Sequence, residues 1–409
     1  MTDGVVSRIA HGDEPFSLDP RLPWWEALPE DFFRHRDRFS LGLRDRAFVE
    51  ATAVTDVVLR TLGAALVGLL AFPLGYHPVA IRRAMRARDF YEDIARSGDR
   101  SRFFAEPSPV PVELRPARGN IFRPDDGTCE DLHFESPFVP AFEDERARYL
   151  RHRDNRIAHA RIWRHRTGGP RPTVIAIHGF SADLYNLNEW FFALPWLYAR
   201  GCDVVCFTLP FHGRRQTRFS PFSGHGFFAG GLPRLNEAFA QAVLDLRILI
   251  DWLARQGSPA TGAMGVSLGG FTSALLASVE PRLAFVIPNV PVTSIGDLVL
   301  EWEPIGLATR VSMRAARRGI KDIRATLAPS SPLTWPAVVP KERRMIIGGV
   351  ADRLAPPKHS RLLWEHWDRC AMHWFPGSHL LHLDRGHYLR EMGRFLGRLG
   401  FLPPRHPAG

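Results

Sequence analysis

Gly265-Val266-Ser267-Leu268-Gly269 sets a serine between two glycines, the pattern of a sharp strand-to-helix turn that presents a hydroxyl as a nucleophile. Each glycine has a steric reason. Backbone segments approach closely around such a turn, so the positions two before and two after the serine accept little more than a hydrogen. The flanks agree: Thr261 to Met264 reads as a short strand and Gly269 to Ser278 as a helix of small residues. A serine hydroxyl is a weak nucleophile until an imidazole accepts its proton, and the imidazole needs a carboxylate to hold its tautomer and charge. Asp352 follows the apolar run Met345 to Ile347, in Gly348-Gly349-Val350-Ala351-Asp352, where a loop at a strand end would present it. Asp297, Glu301 and Glu303 also follow a strand, but they fall where an insertion begins, and Asp352 is preferred. For the base, His379 closes Trp374-Phe375-Pro376-Gly377-Ser378-His379 just past the run Ala371 to Phe375. His382 and His387 would ride on the helix that follows, and His373 lies mid-strand.

Acyl transfer through such a serine also needs two donors aimed at the developing oxyanion, one of them the backbone N–H of the residue after the nucleophile. That residue is Leu268. The second donor is expected from His178-Gly179-Phe180, directly after the run Val174 to Ile177, where a glycine brings the backbone close; Phe180 N–H is the candidate and His178 an organiser of the loop.

These residues need a scaffold that delivers several strand ends to one edge. From residue 129 to 409, short apolar runs alternate with longer amphipathic ones, as strand and helix units wound onto a parallel sheet require. Val174 to Ile177, Val204 to Phe207, Phe285 to Ile287 and Met345 to Ile347 have the composition of strands covered on both faces. A long helix is predicted from Asn236 to Gln256, with Phe239, Val243, Leu246, Ile250 and Leu253 at helical spacing, Asn236 as N-cap and Gly257 beyond the end. Residues 1–128 read as a helical extension over Pro29 to Phe39, Val54 to Phe72 and Pro78 to Ile94. Its boundary is marked by Pro107, Pro109, Pro111, Pro116 and the turn Pro124-Asp125-Asp126-Gly127.

Taken in order, His178-Gly179, the serine turn, Asp352 and His379 resemble the α/β-hydrolase superfamily over roughly residues 130–402. The interval from Ser267 to Asp352 leaves room for a strand and an inserted cap, and that from Asp352 to His379 for one helix and one strand. More narrowly, Pro210-Phe211-His212-Gly213-Arg214, Gly265 to Gly270 and Pro376-Gly377-Ser378-His379 are similar to a branch that includes the mammalian α/β-hydrolase-domain protein eighteen. Ser378 stands where that branch would lead one to expect glycine. The resemblance implies a mostly parallel eight-stranded sheet with helices on both faces, a cap insertion at about 292–340 between strands 6 and 7, and ester hydrolysis through an acyl-enzyme. It implies no cofactor and no metal. The same constellation serves thioesterases, lipases, peptidases and acyltransferases, and a non-catalytic interaction protein keeping the fold is the alternative from another class.

Two stretches are expected to frame an acyl pocket: Phe211 to Leu232, with Phe211, Phe219, Phe222, Phe227 and Phe228, and the insertion, where Leu307, Val311 and Met313 lie near Arg314, Arg317, Arg318 and Lys321. The competing reading makes the phenylalanines packing for the N-terminal helices. A small-molecule acyl ester is the expected partner. The formal charge of +10 over 409 residues does not by itself predict nucleic-acid binding, because the arginines are scattered among acids and form no tract. Cys129, Cys202, Cys206 and Cys370 read as reduced thiols. The opening residues lack the apolar core of a secretory signal, so a cytoplasmic location is expected. Leu62 to Phe72 is an apolar stretch of 11 residues, shorter than the roughly 20 of a membrane span. It reads as a buried helix, with peripheral membrane contact beside Arg82, Arg83 and Arg86 as the alternative. The oligomeric state is left open.

Overall fold

The computed structural model describes residues 18–37, 39–383 and 385–402. The apolar runs pair into one sheet because each can satisfy its backbone only against a neighbour while burying both faces. Its strands are β1 (Glu113–Pro116), β2 (Gly127–Glu135), β3 (Ile157–His165), β4 (Thr173–Ile177), β5 (Asp203–Thr208), β6 (Thr261–Val266), β7 (Val286–Asn289), β8 (Met345–Gly349) and β9 (Ala371–Phe375). They lie in the order β1-β2-β3-β5-β4-β6-β7-β8-β9. β1, β2 and β3 run antiparallel to their neighbours, whereas β4 to β9 are mutually parallel. The chain moves outward from β4 to β5 and then returns to β6 on the other side. This reversal opens a crevice at the carboxyl ends of β4 and β6, where open α/β sheets bind ligands.

The expected eight strands are nine. The extra one, β1, is a four-residue edge strand inside the proline-rich stretch, mostly exposed, with two charged residues and a proline; nothing in so short a run alternates. The long helix also begins earlier than predicted, at Gly231, and runs to Arg255. Asn236 therefore does not cap it. Its buried amide donates to Thr326 O (2.7 Å) and accepts from Ser330 Oγ (2.6 Å), so a residue typical of caps joins the helix to the insertion.

The insertion between β7 and β8 forms the helices Ile295–Glu301, Ile305–Ala315 and Ile320–Leu327. Arg324 locks it down. Its guanidinium makes a two-pronged, fully buried ion pair with Asp297 (2.6 and 2.8 Å) and also donates to Pro29 O (2.8 Å) from the N-terminal segment. Arg324→Ala would leave the Asp297 charge buried without its partner, and is expected to lower the unfolding free energy by about 3–5 kcal/mol in denaturant titration.

In the N-terminal part, the described residues between Pro29 and Phe39 contain the single turn Phe32–Arg34, while Val54 to Leu70 belongs to a longer helix, Leu43–Leu70, and Phe72 opens the next, Phe72–Gly75. The region Pro78 to Ile94 divides into Pro78–Ala84 and Arg88–Ser97. The buried reading of Leu62 to Phe72 is overturned: Leu62, Leu66 and Leu69 are all exposed, Leu69 by 73%. The apolar tract is longer too. Val49–Leu70 spans 22 residues, enough by length and composition to cross a membrane, because Asp56 and Arg60 interrupt the run in sequence without ending it on the helix surface.

Candidate active site

Ser267 follows β6 with φ 54° and ψ −111°, a left-handed conformation that costs energy for any residue with a Cβ. The surroundings enforce it. Ser267 N donates to Asn289 O (2.9 Å), a Cβ on Gly265 would overlap Gly269 O, and one on Gly269 would overlap Ile177 O. The two glycines flanking the serine are thus sites where strand, turn and helix Leu268–Leu276 touch backbone to backbone.

Asp352 follows β8 and His379 follows β9, so both emerge at the carboxyl edge where Ser267 stands. Asp352 Oδ2 lies 2.6 Å from His379 Nδ1, with both side chains buried. The other carboxylate oxygen, Oδ1, accepts from Leu354 N (2.9 Å) and Ala355 N (2.7 Å), which orients the carboxylate; burial raises the Asp352 pKa above its ordinary value, against the opposing pull of His379 and of these N–H groups. Burial opposes charge on His379, but the Asp352 carboxylate, reinforced by Asp56, outweighs it and raises the imidazole pKa above its ordinary value.

Asp56 was not legible as a site residue. It is fully buried and comes from the N-terminal helix Leu43–Leu70; its Oδ2 accepts from the backbone N–H of His379 (2.8 Å) and of Arg353 (3.0 Å). Arg60, one turn on, donates to Arg353 O (3.1 Å). One helix therefore clamps the loops that carry both Asp352 and His379. The available signal was a single acid inside the apolar run Val54-Thr55-Asp56-Val57-Val58, which says that a carboxylate is wanted but not by what.

The other candidates are engaged elsewhere. Asp297 belongs to Arg324, Glu301 pairs with Lys358 (2.9 Å), and Glu303 pairs with Arg310 (2.5 Å). The ring of His382 lies against Phe375, 3.9 Å between centroids, and His387 sits on the last helix near Glu391. His178 is buried, and burial lowers its pKa; its Nδ1 meets Gly179 O (2.7 Å) and its Nε2 accepts from Leu209 N (3.0 Å), as a loop organiser requires. That loop packs on the serine, since a Cβ on Gly179 would lie 3.5 Å from the Cβ of Ser267. Phe180 and Leu268 flank Ser267 in the same pocket wall. The Leu268 N–H, in the first turn of its helix, has no intrahelical acceptor.

The pocket at Ser267 has a volume of about 80 Å³ and a lining that is apolar apart from the serine, including Phe180, Phe228, Val292, Leu298 and Trp302. Val67, from the N-terminal helix, closes one side. The aromatic stretch divides between the two readings offered by the sequence. Phe228 lines the pocket, Phe211 and Phe227 are buried in the core, and Phe219 is exposed. Leu307 and Val311 face outward, away from the role expected of them, while Met313 is buried.

The chain matches no protein-family model. It is similar to an uncharacterized protein of Mycobacterium tuberculosis, 31% identical over 293 residues that cover 68% of this chain. Those residues amount to 65% of the relative, so the chain spans slightly less than two thirds of its length. It is 29% identical over 181 residues to the dihydrolipoyllysine-residue acetyltransferase component of the acetoin cleaving system of Cupriavidus necator, covering 44% of this chain and 42% of that one. Among solved structures, acetyl xylan esterase 1 from Thermoanaerobacterium sp. superposes with a TM-score of 0.53 at 20% identity, over 76% of this chain and 93% of that one. Strand order, the turn at Ser267 and this superposition agree: the chain has the α/β-hydrolase fold, with one strand beyond the eight expected.

Proposed function

We propose that the protein is a serine hydrolase of carboxylic esters, with Ser267, His379 and Asp352 as its triad. The observation that carries this reading is the buried Asp352–His379 pair, at 2.6 Å, on the same sheet edge as a serine held at positive φ. Ser267 Oγ forms a bond to the substrate carbonyl carbon as its proton passes to His379 Nε2, while Asp352 keeps Nδ1 protonated and stabilises the imidazolium. The Phe180 and Leu268 N–H groups receive the oxyanion. Collapse breaks the ester C–O bond, and the alcohol leaves with the proton from His379. Water then repeats the sequence on the acyl-serine: His379 takes its proton, the C–Oγ bond breaks, and the acid departs as Ser267 is regenerated.

The pocket at Ser267 is small, about 80 Å³, and apolar apart from the serine, which suits a short acyl group. The fold shared with an acetyl xylan esterase is in keeping with ester hydrolysis. On the motifs around His212, Ser267 and His379, we place the chain near the branch that includes the mammalian α/β-hydrolase-domain protein eighteen. The direct test is a fluorophosphonate probe followed by peptide mapping. Native protein is expected to be labelled at Ser267 and heat-denatured protein not; absence of labelling in folded protein, or labelling of another serine, overturns the assignment.

The charge near His379 sets a second expectation. Its neutral form is the base, and its pKa is raised, so activity should fall as pH drops through a value above that of an ordinary histidine. Below that limb kcat/KM declines about tenfold per pH unit. Asp56 acts here as a positioning residue. Asp56→Asn keeps an acceptor for the His379 and Arg353 N–H groups but removes a negative charge, so the limb is expected to move to lower pH. A purely structural role for Asp56 would lower stability or rate and leave the limb in place.

A further inference from the structure

The helix Leu43–Leu70 is arranged the wrong way round for a helix that meets only water on its outer side. Most of its inward positions are small or polar, Thr52, Ala53, Asp56, Gly63, Ala64 and Gly68, with Val49 and Val67 the larger apolar residues among them. Trp302 packs over Gly63 and Ile305 over Gly68, each 3.8 Å from where a Cβ would lie. Its outward positions carry the bulk. Val54, Val58, Leu62, Leu66 and Leu69 follow one another at four-, four-, four- and three-residue steps, which makes a single stripe, and they are exposed by 62, 51, 62, 44 and 73%. Amphipathic helices of water-soluble domains turn large apolar residues inward and leave small and polar ones outside. A continuous apolar stripe of this length marks a surface that something covers.

The neighbouring helices say what chemistry covers it. Ile305–Ala315 packs beside Leu43–Leu70, and Pro78–Ala84 packs beside Ile305–Ala315, with Arg82 donating to Ala315 O (3.3 Å). Each adds exposed apolar residues followed along the same face by arginines: Leu307, Val311 and Arg314 on the first, Val79, Arg82, Arg83 and Arg86 on and just past the second. Arg82, Arg83, Arg86, Arg314 and Arg317 are exposed and make no ion pair among the described residues. Apolar side chains rimmed by arginines are the composition of a surface that lies at a lipid interface, where the aliphatic groups enter the acyl region and the guanidinium groups meet anionic headgroups.

A second copy of the chain fits less well. A two-fold dimer sets a patch against a copy of itself, so the arginines would meet a surface as basic as their own and no opposite charge. An anionic bilayer supplies the opposite charge.

We infer that the outer face of helix Leu43–Leu70, with the adjoining faces of Pro78–Ala84 and Ile305–Ala315, seats this protein on an anionic lipid surface. Val67, on the same helix, forms part of the pocket wall, so one helix carries the docked face outside and borders the pocket at Ser267 inside. This contact does not require that the protein be a hydrolase.

The test is density-gradient flotation of the full chain with phosphatidylglycerol-containing vesicles, with phosphatidylcholine vesicles as the neutral comparison. Wild-type protein should float with the anionic vesicles and less with the neutral ones. Binding should weaken at about 1 M salt, where the Debye length falls to about 3 Å. Leu62→Glu with Leu69→Glu is expected to reduce partitioning by at least ~10-fold, since both side chains enter the apolar layer in the docked state. Circular dichroism and fluorophosphonate labelling in buffer should be unchanged, because neither residue lines the pocket. Three outcomes overturn the inference: wild-type protein staying off anionic vesicles at low salt, the double variant floating like wild type, or a wild-type dimer that ignores vesicles and is dissolved by the double substitution. Flotation without labelling at Ser267 would refute the hydrolase reading alone, and labelling without flotation would refute the lipid surface alone.

Discussion

Ser267→Ala is expected to reduce kcat/KM for a short-chain ester by on the order of 10⁴–10⁶-fold, the range in which removal of a triad nucleophile falls. No other hydroxyl opens onto the pocket among the residues that line it, so nothing can take over the attack. The fold should survive. Alanine meets the same φ penalty as serine at 54°, the bond from the residue 267 N–H to Asn289 O is made by backbone, and the two close glycine contacts are untouched. Fluorophosphonate labelling should vanish while the thermal unfolding midpoint stays near that of wild type. Activity retained within about tenfold would mean that the nucleophile lies elsewhere, since a loss that small is below what general acid–base assistance alone contributes.

Asp352→Asn is expected to lower kcat/KM by about 10⁴-fold with only a modest loss of stability. The carboxylate does two things at once. Oδ1 accepts from the Leu354 and Ala355 N–H groups, and Oδ2 accepts from His379 Nδ1. Asparagine has one acceptor and one donor. If its oxygen keeps the two loop N–H groups, its NH₂ faces His379 Nδ1 and demands a lone pair there. The imidazole must then carry its proton on Nε2, the wrong nitrogen for taking one from Ser267. The fold keeps its loop and loses its base. Substrate affinity should change far less than kcat, because Asp352 does not line the pocket. A loss of merely a few fold would show that Asp352 does not fix the tautomer. Paired with Asp56→Asn, the experiment separates two carboxylates near one histidine: one sets which nitrogen holds the proton, the other adjusts how readily the ring gains it.

The parts of the site legible from sequence are those whose geometry is local. The turn at Ser267 could be read because its glycines are within two residues of the serine and answer to close backbone contacts. Asp352 and His379 could be placed because each follows a short strand of a parallel sheet, and parallel strands present their carboxyl ends at one edge. The packing of His178 beneath the loop followed from the same placement.

What escaped the sequence depends on contacts between distant segments. Asp56 meets His379 across 323 residues of chain, and no periodicity in a helix announces which loop an acid on it will reach. Asn236 looked like a cap because local rules favour it there, yet a buried amide with partners in the insertion overrode that preference. The edge strand β1 carried too few residues to alternate. The apolar run at Leu62 to Phe72 identified a helix but not its orientation: hydrophobicity tells that a side chain is better off out of water, and only packing decides which face the protein fills. Here the inward face is taken largely by small residues, Gly63 and Ala64 among them, and by Asp56, which holds the loops of Arg353 and His379, and the leucines are left outside. Sequence alone thus determined the parallel part of the sheet and the edge at its strand ends, and named three candidate residues there, because these follow from local sterics and strand direction. The clamp on His379, the wall over the pocket and the apolar outer surface were decided by tertiary structure, because each depends on which faces of separate elements come together.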